Sequence, residues 1–337
     1  MQYGWRAIDK VLSSFIFANC LDHRLLLVVA TNLSRVVAFD LRSMEILFSL
    51  QNPPHHGTPT CFCIDKSRRT WLLLGTSRGI LDLWDLRFLL RLKAWGLPPY
   101  NGIKRLQVHP TRGHGKWVCV AGGTSHGEIT VWDIDKLQCR EVYRANGSQD
   151  TPRNYDAYRI DDDKPEGPLG RFAVDPDHKL DNGLGSGAEW RVNAIIVGKD
   201  NVRPDGTVDL KSNGGFIISA GADRRVRFWD LGKAEASLVV SGLDVEEAKP
   251  TFSSMQASPS LSITTERRSS PSNTTNQKES AKSKRSGGRP SRQAFISLQQ
   301  EKLLKNHLDA ILDVALIESP FAMVVSVDRA GCINIFA

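Results

Sequence analysis

The chain has 337 residues, of which 41% are hydrophobic, and it carries a formal net charge of +7. No stretch approaches the roughly 18 apolar residues of a membrane helix, and residues 1–6 lack the apolar region of a signal peptide, so the composition predicts a soluble intracellular protein. The six cysteines show no paired metal spacing and predict reduced core residues.

The positive charge is concentrated in one part of the chain. Residues 251–294 contain eight basic and two acidic residues, a local net charge of +6, which leaves only +1 for everything else. A nearly neutral remainder lacks the basic footprint of a nucleic-acid-binding domain. The sequence therefore predicts no nucleic-acid partner.

In chain order, the sequence repeats one pattern: an apolar strand, a short turn, and a second strand that ends on Trp-Asp. The three clear copies end at Trp84-Asp85, Trp132-Asp133 and Trp229-Asp230, and weaker copies span residues 26–41 and 324–336. Asp85 lies 45 residues after Asp40 and 48 before Asp133, close to the roughly 40–45 residues of a WD repeat. The pattern predicts an all-β, WD-repeat β-propeller with five recognisable blades, which could be part of a seven-bladed ring.

The repeat gives the domain organisation. Residues 1–337 are predicted to form one propeller, because a four-stranded blade must bury its faces against its neighbours. The predicted blades span about residues 10–50, 59–95, 103–143, 191–240 and 308–337. Residues 144–190 are predicted to be a partly ordered insertion between blades. Residues 243–294, rich in Ser, Lys and Arg, are predicted to be a disordered loop.

The repeated residues have a structural interpretation. A Trp late in a strand covers the gap to the next blade, and the Asp that follows can bond backbone groups where the strand ends. A His before the last repeat and an Asp in its hairpin turn predict a structural hydrogen bond rather than an acid-base pair. The predicted structural residues are Trp84, Asp85, Trp132, Asp133, Trp229, Asp230, His307 and Asp328.

Three further features were considered as sites. The glycine-rich segment 183–187 is a weak candidate for phosphate binding, because it follows turn-rich sequence and precedes no helix with a suitable Lys. Cys61 and Cys63 share one strand face without a second ligand pair, which favours packing over zinc. The chain has no His-Arg-Asp or Asp-Phe-Gly motif of a protein kinase. We therefore predict no catalytic, cofactor-binding or metal-binding residue.

The segment Arg267-Arg268-Ser269-Ser270 has the basic residues before Ser that suit many protein kinases. Phosphorylation at Ser269 or Ser270 would change the charge of the loop. The simpler alternative is an unmodified, solvated spacer.

Four stretches carry a more specific resemblance. They are residues 71–88 (WLLLGTSRGILDLWDLRF), 109–118 (HPTRGHGKWV), 220–231 (AGADRRVRFWDL) and 307–315 (HLDAILDVA). They resemble the C-terminal WD-repeat domain of the class III phosphatidylinositol 3-kinase regulatory subunits, the protein-kinase-like vacuolar protein sorting scaffolds. The resemblance covers nearly all the sequence outside the two insertions.

The resemblance implies a non-catalytic scaffold for the lipid kinase complex of autophagy and of endosomal and vacuolar sorting. Its implied partners are the class III phosphatidylinositol 3-kinase catalytic subunit and the coiled-coil autophagy and sorting subunits. Its implied location is cytoplasmic, peripheral to endosome, vacuole or autophagosome membranes through the complex, with no direct membrane contact. The family also has a kinase-like domain and helical repeats, so this chain is expected to be an N-terminally truncated form.

Two alternatives remain open. The chain could be a fragment of a serine/threonine protein kinase polypeptide whose kinase domain lies upstream. It could also be a generic WD-repeat adaptor or a phosphoinositide-binding propeller. Propellers of the last class carry a Phe-Arg-Arg-Gly motif, of which Asp223-Arg224-Arg225-Val226 is only a superficial echo.

Overall fold

The computed structural model describes residues 11–17, 26–65, 70–96, 101–124, 127–145, 155–160, 191–199, 214–243, 248–268, 306–317 and 323–336. These residues form five β-sheets that follow one another along the chain. Each sheet is built on an antiparallel meander, and we number the five meanders as blades 1 to 5.

The first two blades are complete four-stranded meanders. Blade 1 consists of β1 (Val11–Phe17), β2 (Leu26–Thr31), β3 (Arg35–Asp40) and β4 (Ile46–Gln51). Blade 2 consists of β5 (Pro59–Ile64), β6 (Trp71–Thr76), β7 (Ile80–Asp85) and β8 (Leu90–Gly96).

The other three blades repeat the same order. Blade 3 consists of β9 (Ile103–Val108), β10 (Trp117–Gly122), β11 (Glu128–Asp133) and β12 (Gln138–Arg144). The short strand β13 (Tyr158–Arg159) adds to the outer edge of β8. Blade 4 consists of β14 (Val192–Gly198), β15 (Phe216–Gly221), β16 (Val226–Asp230) and β17 (Leu238–Ser241). A hairpin comes next, formed by β18 (Thr251–Ser258) and β19 (Leu261–Arg267), and blade 5 has β20 (Ile311–Ile317), β21 (Met323–Asp328) and β22 (Ile333–Phe336).

Each gap between consecutive blades holds one apolar cluster. The middle strands of blades 2, 3 and 4 are buried on both faces, which explains their continuous apolar sequence. In β6, for example, Leu72 and Leu74 pack toward blade 1, whereas Leu73 between them packs toward blade 3, as the alternation of side chains along a strand requires. Equivalent clusters join blade 3 to blade 4 and blade 4 to blade 5.

The first strands of the later blades lie near one another. Arg105 of β9 forms an ion pair with Asp313 of β20, although 208 residues separate them. The Asn193 side-chain amide of β14 donates to the Ile311 carbonyl at 2.8 Å. Consecutive meanders that pack face to face, with their first strands close together, confirm the predicted all-β WD-repeat propeller with five recognisable blades.

The prediction that residues 243–294 form a disordered loop is wrong for the first part of that segment. Residues 251–267 form the β18–β19 hairpin, and β19 pairs in parallel with β12, so the sheet of blade 3 has six strands. Phe252 and Ile263 are buried there, and the surrounding Thr and Ser residues suit exposed strand positions. Because the segment as a whole contains few apolar residues, the sequence analysis did not identify these two buried side chains. Residues 269–294 lie outside the described part of the chain.

Candidate functional site

The Asp that ends the third strand fixes the turn after it in four blades. One carboxylate oxygen accepts a hydrogen bond from the backbone N–H two residues later: 2.9 Å at Asp40, 2.8 Å at Asp85, 3.1 Å at Asp133 and 2.8 Å at Asp230. Such a side-chain turn satisfies a donor that no strand partner reaches. These aspartates therefore shape the loops of the propeller.

The three repeated tryptophans lie inside the protein. Trp84 is 8% exposed, and Trp132 and Trp229 are each 1% exposed. The indole N–H of Trp132 donates to the Thr130 hydroxyl at 2.9 Å, and that of Trp229 donates to the Ser219 hydroxyl at 2.8 Å. Buried indoles whose N–H groups are satisfied cannot stack on an external ligand.

His307 and Asp328 form the predicted contact, and a third residue joins them. The Nδ1 atom of His307 lies 3.2 Å from an Asp328 carboxylate oxygen, and its Nε2 atom lies 2.6 Å from the Ser326 hydroxyl. Asp, His and Ser are connected in the order of a hydrolase triad. All three are at most 3% exposed, so the Ser hydroxyl is not accessible to a substrate.

The same aspartate orders the backbone around it. Asp328 accepts hydrogen bonds from the N–H groups of Leu308 at 3.0 Å and Cys332 at 2.8 Å. Although burial alone would raise the pKa of Asp328, these donors and His307 lower it below its ordinary value of 3.8. The network ties the segment before β20 to the turn between β21 and β22.

Blade 2 has a related pair that the sequence analysis missed. His56 precedes β5, and its Nδ1 atom lies 2.8 Å from the Asp82 carboxylate on β7. The Asn52 side-chain amide donates to the same carboxylate at 3.0 Å. A His just before a first strand, as at His307, is the sequence signal that could have identified His56.

A buried ion network joins the hairpin to blade 4. The Arg227 guanidinium lies 2.6 Å from the Glu266 carboxylate and also contacts Asp223, with Arg227 2% and Glu266 0% exposed. Burial alone would favour loss of the Arg227 proton, but Asp223 and Glu266 reverse that effect and raise its pKa. Arg268 also donates to Glu266, at 3.2 Å. The network holds the hairpin on the propeller.

The five cysteines of the described residues form no disulfide, and four of them are buried. Burial raises the pKa of the Cys61 thiol to about 12, so it stays protonated and unreactive at neutral pH. Cys63 is buried in the same cluster. Among the residues that the structure describes, no group of three or more His, Cys, Asp or Glu could hold a metal ion.

Other predicted positions cannot be placed. Ser269, Ser270 and the glycine-rich segment 183–187 lie outside the described residues, and the phosphorylation hypothesis remains a prediction. No helix within the described ranges is long and apolar enough to cross a membrane.

Comparison with known proteins gives the following relatives. The VPS15 protein of Komagataella pastoris, named as a serine/threonine-protein kinase, is 31% identical over 322 residues, which is 92% of this chain and 21% of the relative. VPS15 of Saccharomyces cerevisiae is 35% identical over 134 residues, 40% of this chain and 9% of the relative. VPS15 of Arabidopsis thaliana is 23% identical over 216 residues, 60% of this chain and 13% of the relative. The chain thus spans about a fifth or less of these relatives. No protein-family model matches it.

Two solved structures are also similar. The WD40 β-propeller domain of Doa1 has 10% identity and a TM-score of 0.44, with 93% of this chain and 60% of that chain covered. A Chaetomium thermophilum Polycomb Repressive Complex 2 structure bound to GSK126 has 11% identity and a TM-score of 0.47, with 98% and 55% covered.

Proposed function

The chain belongs to the VPS15 family through its WD-repeat region, and on this premise we propose that it is a non-catalytic scaffold that supports assembly of a class III phosphatidylinositol 3-kinase complex. The 31% identity to a VPS15 protein over 92% of the chain carries the proposal. Shape and surface complementarity, rather than a reactive group, would provide such a function.

The internal chemistry of the propeller supports a non-catalytic role. The Asp328–His307–Ser326 network has the connectivity of a hydrolase triad, but it is closed to solvent. The ionic contacts of Glu266 and the bonds of the Trp-Asp pairs are likewise used between strands and turns. These polar groups stabilise the blades and leave their surfaces for docking.

The proposed partners are the class III phosphatidylinositol 3-kinase catalytic subunit and its coiled-coil autophagy and sorting subunits. Through them the chain would lie in the cytoplasm at the surface of endosomes, vacuoles or autophagosomes. In this proposal the chain would reach the membrane only through the complex.

Affinity capture tests the proposal. The full-length native product, tagged and purified from its own cells, should retain the lipid kinase catalytic subunit and the coiled-coil subunits. A matched sample of the Trp229→Ala variant, which removes a buried side chain of blade 4, should lose them. Reproducible absence of these subunits from the unaltered protein would contradict the assembly role and leave the propeller fold unaffected.

A second candidate follows from the names of the relatives. The VPS15 proteins are named serine/threonine-protein kinases, and the matched region is 21% of the Komagataella pastoris relative and 9% of the Saccharomyces cerevisiae relative. The described sheets would then be one part of a kinase polypeptide. Sequencing the transcript upstream of Met1 tests this: an open frame that encodes kinase motifs would support it, and a nearby in-frame stop would contradict it.

A further inference from the structure

One end of blades 3 and 4 carries an excess of exposed positive charge. We call this end the basic face. It is formed by the turns between the second and third strands and by the segments that lead into the first strands. Its four exposed cations are Lys104, Arg191, Arg224 and Arg267.

These cations are adjacent in space. Lys104 and Arg191 line the same cavity. The Arg191 carbonyl accepts a hydrogen bond from Ala222 N–H at 2.8 Å, which places it beside the turn that contains Arg224. The next residue in that turn, Arg225, lies 3.8 Å from Glu266, the neighbour of Arg267. These contacts place the four cations along the same end of blade 3, blade 4 and the hairpin, and we call them the basic band.

The band is not neutralised within the described residues. No ion pair to Lys104, Arg191, Arg224 or Arg267 is found there, whereas the buried carboxylate of Glu266 is already occupied by other arginines. Like charges that are held close together at a surface attract an acidic partner and speed its association. The small net charge of the chain outside residues 251–294 conceals this asymmetry.

A cavity of about 180 Å³ opens between Lys104 and Arg191, with Ser77, Gly102 and Gly122 in its wall. Thr124 also lines it and is 8% exposed, and its hydroxyl has no hydrogen-bond partner among the described residues. A buried hydroxyl without a partner is costly unless a ligand or water satisfies it.

The negative charge in the cavity wall is already compensated. The Glu128 carboxylate lies 2.9 Å from the Arg144 guanidinium and accepts a hydrogen bond from the Tyr155 hydroxyl at 2.8 Å. The uncompensated polar groups at the cavity opening are therefore two exposed cations and a hydroxyl donor. Such an opening suits an anion rather than a cation.

We propose that the basic face binds an extended acidic segment of a partner protein and that one of its carboxylates enters the cavity between Lys104 and Arg191, where the Thr124 hydroxyl donates to it. Arg224 and Arg267 contact the acidic residues that follow. This inference goes beyond the assembly role and does not depend on which complex the chain joins.

A fluorescein-labelled hexaglutamate peptide is the probe, and its binding to the full chain is measured by fluorescence anisotropy at low and at high salt. Binding should weaken as salt screens the charges. Lys104→Glu/Arg191→Glu should weaken it by about tenfold or more. Thr124→Val, which keeps the shape and removes the hydroxyl, should weaken it by roughly fivefold. A hexaglutamine peptide should not bind.

The matched control is Arg42→Glu/Lys136→Glu, which changes the charge equally at two exposed positions in the turns between third and fourth strands, at the opposite end of blades 1 and 3. The control variant should bind hexaglutamate with an affinity within about twofold of that of the unaltered chain. Equal losses of hexaglutamate affinity in the two double variants would overturn the proposal. They would show that the overall positive charge attracts the peptide and that no specific site binds it. Binding to phosphatidylserine vesicles without binding to hexaglutamate would also overturn it, in favour of a membrane surface.

Discussion

Arg227 of blade 4 and Glu266 of the hairpin form an ion pair of 2.6 Å that is almost fully removed from solvent. Because β19 belongs to the sheet of blade 3, this pair joins two neighbouring sheets. Removal of one partner from a buried ion pair is costly, because it leaves the other charge buried and uncompensated. The Glu266 carboxylate therefore adds a charged contact to the backbone pairing of β19 and the buried Phe252 and Ile263, which also hold the hairpin.

We predict that Glu266→Gln lowers the free energy of unfolding by roughly 3–5 kcal/mol, because the buried Arg227 loses half of its compensation. Chemical denaturation followed by tryptophan fluorescence measures this change. Hydrogen exchange in β18 and β19 should rise more than in β2 and β3 of the distant blade 1.

Glu235→Gln is the control, because Glu235 is exposed on blade 4, the blade that carries Arg227. It should change stability by no more than about 0.5 kcal/mol. If Glu266→Gln behaved like Glu235→Gln, the ion pair would not hold the hairpin.

The Asp328 network gives a prediction about acid stability. The pKa of Asp328 is lowered in the folded protein, so its contribution is fully present above its ordinary value of 3.8 and disappears as pH falls through the lower folded value. Asp328→Asn removes the charge, and hydrogen bonds to a buried charge contribute about 1.5–3 kcal/mol. The variant should therefore be less stable than the original at pH 7.

Thermal unfolding of both proteins between neutral and strongly acidic pH measures the difference. The difference in stability between the original protein and Asp328→Asn should stay constant down to about pH 4 and become smaller below it. Other carboxylates titrate in both proteins and cancel in the comparison. A difference in stability that stayed constant at all pH values would show that folding does not lower the pKa of Asp328.

The turn and strand chemistry of the blades could be predicted because it is local. Asp85 bonds the backbone two residues later, and the apolar run of β6 is buried on both faces, so both appear directly in the sequence. The His307–Asp328 contact follows from the repeat. Ser326 was missed, although its place two residues before Asp328 puts both side chains on one face of β21.

The hairpin could not be predicted in the same way. Its parallel pairing with β12 joins residues more than a hundred positions apart, and Glu266 finds Arg227 across 39 residues. No local pattern records such contacts. The basic face has the same origin, because Lys104 lies in β9, Arg191 precedes β14 and Arg224 lies in the turn before β16, and only the stacking of the blades brings these positions to one end.

The hydrogen bond between Trp229 and Ser219 provides a test of the blade core. Trp229→Phe leaves the buried Ser219 hydroxyl without its donor and a small gap beside it, and Ser219→Ala leaves the indole N–H unpaired. Each change should lower the free energy of unfolding by about 1–3 kcal/mol. The double variant should cost less than the two single costs added together, because removing both partners leaves neither unsatisfied. Simple additivity in chemical denaturation would show that the bond has no stabilising role.

The turn between the third and fourth strands carries strain that a substitution can relieve. Leu89 and Leu137 occupy equivalent positions in blades 2 and 3, with φ angles of 54° and 53°, a left-handed conformation that costs most residues about 1–2 kcal/mol. Asn adopts it more readily. Leu89 is 40% exposed, so we predict that Leu89→Asn stabilises the protein by up to about 1 kcal/mol.

Leu137 is only 5% exposed, and Leu137→Asn should instead destabilise the protein by roughly 2 kcal/mol or more, because the lost burial of an apolar side chain exceeds the relieved strain. Thermal unfolding of the two variants measures both changes, and destabilisation by Leu89→Asn as well as by Leu137→Asn would mean that backbone strain does not govern this turn.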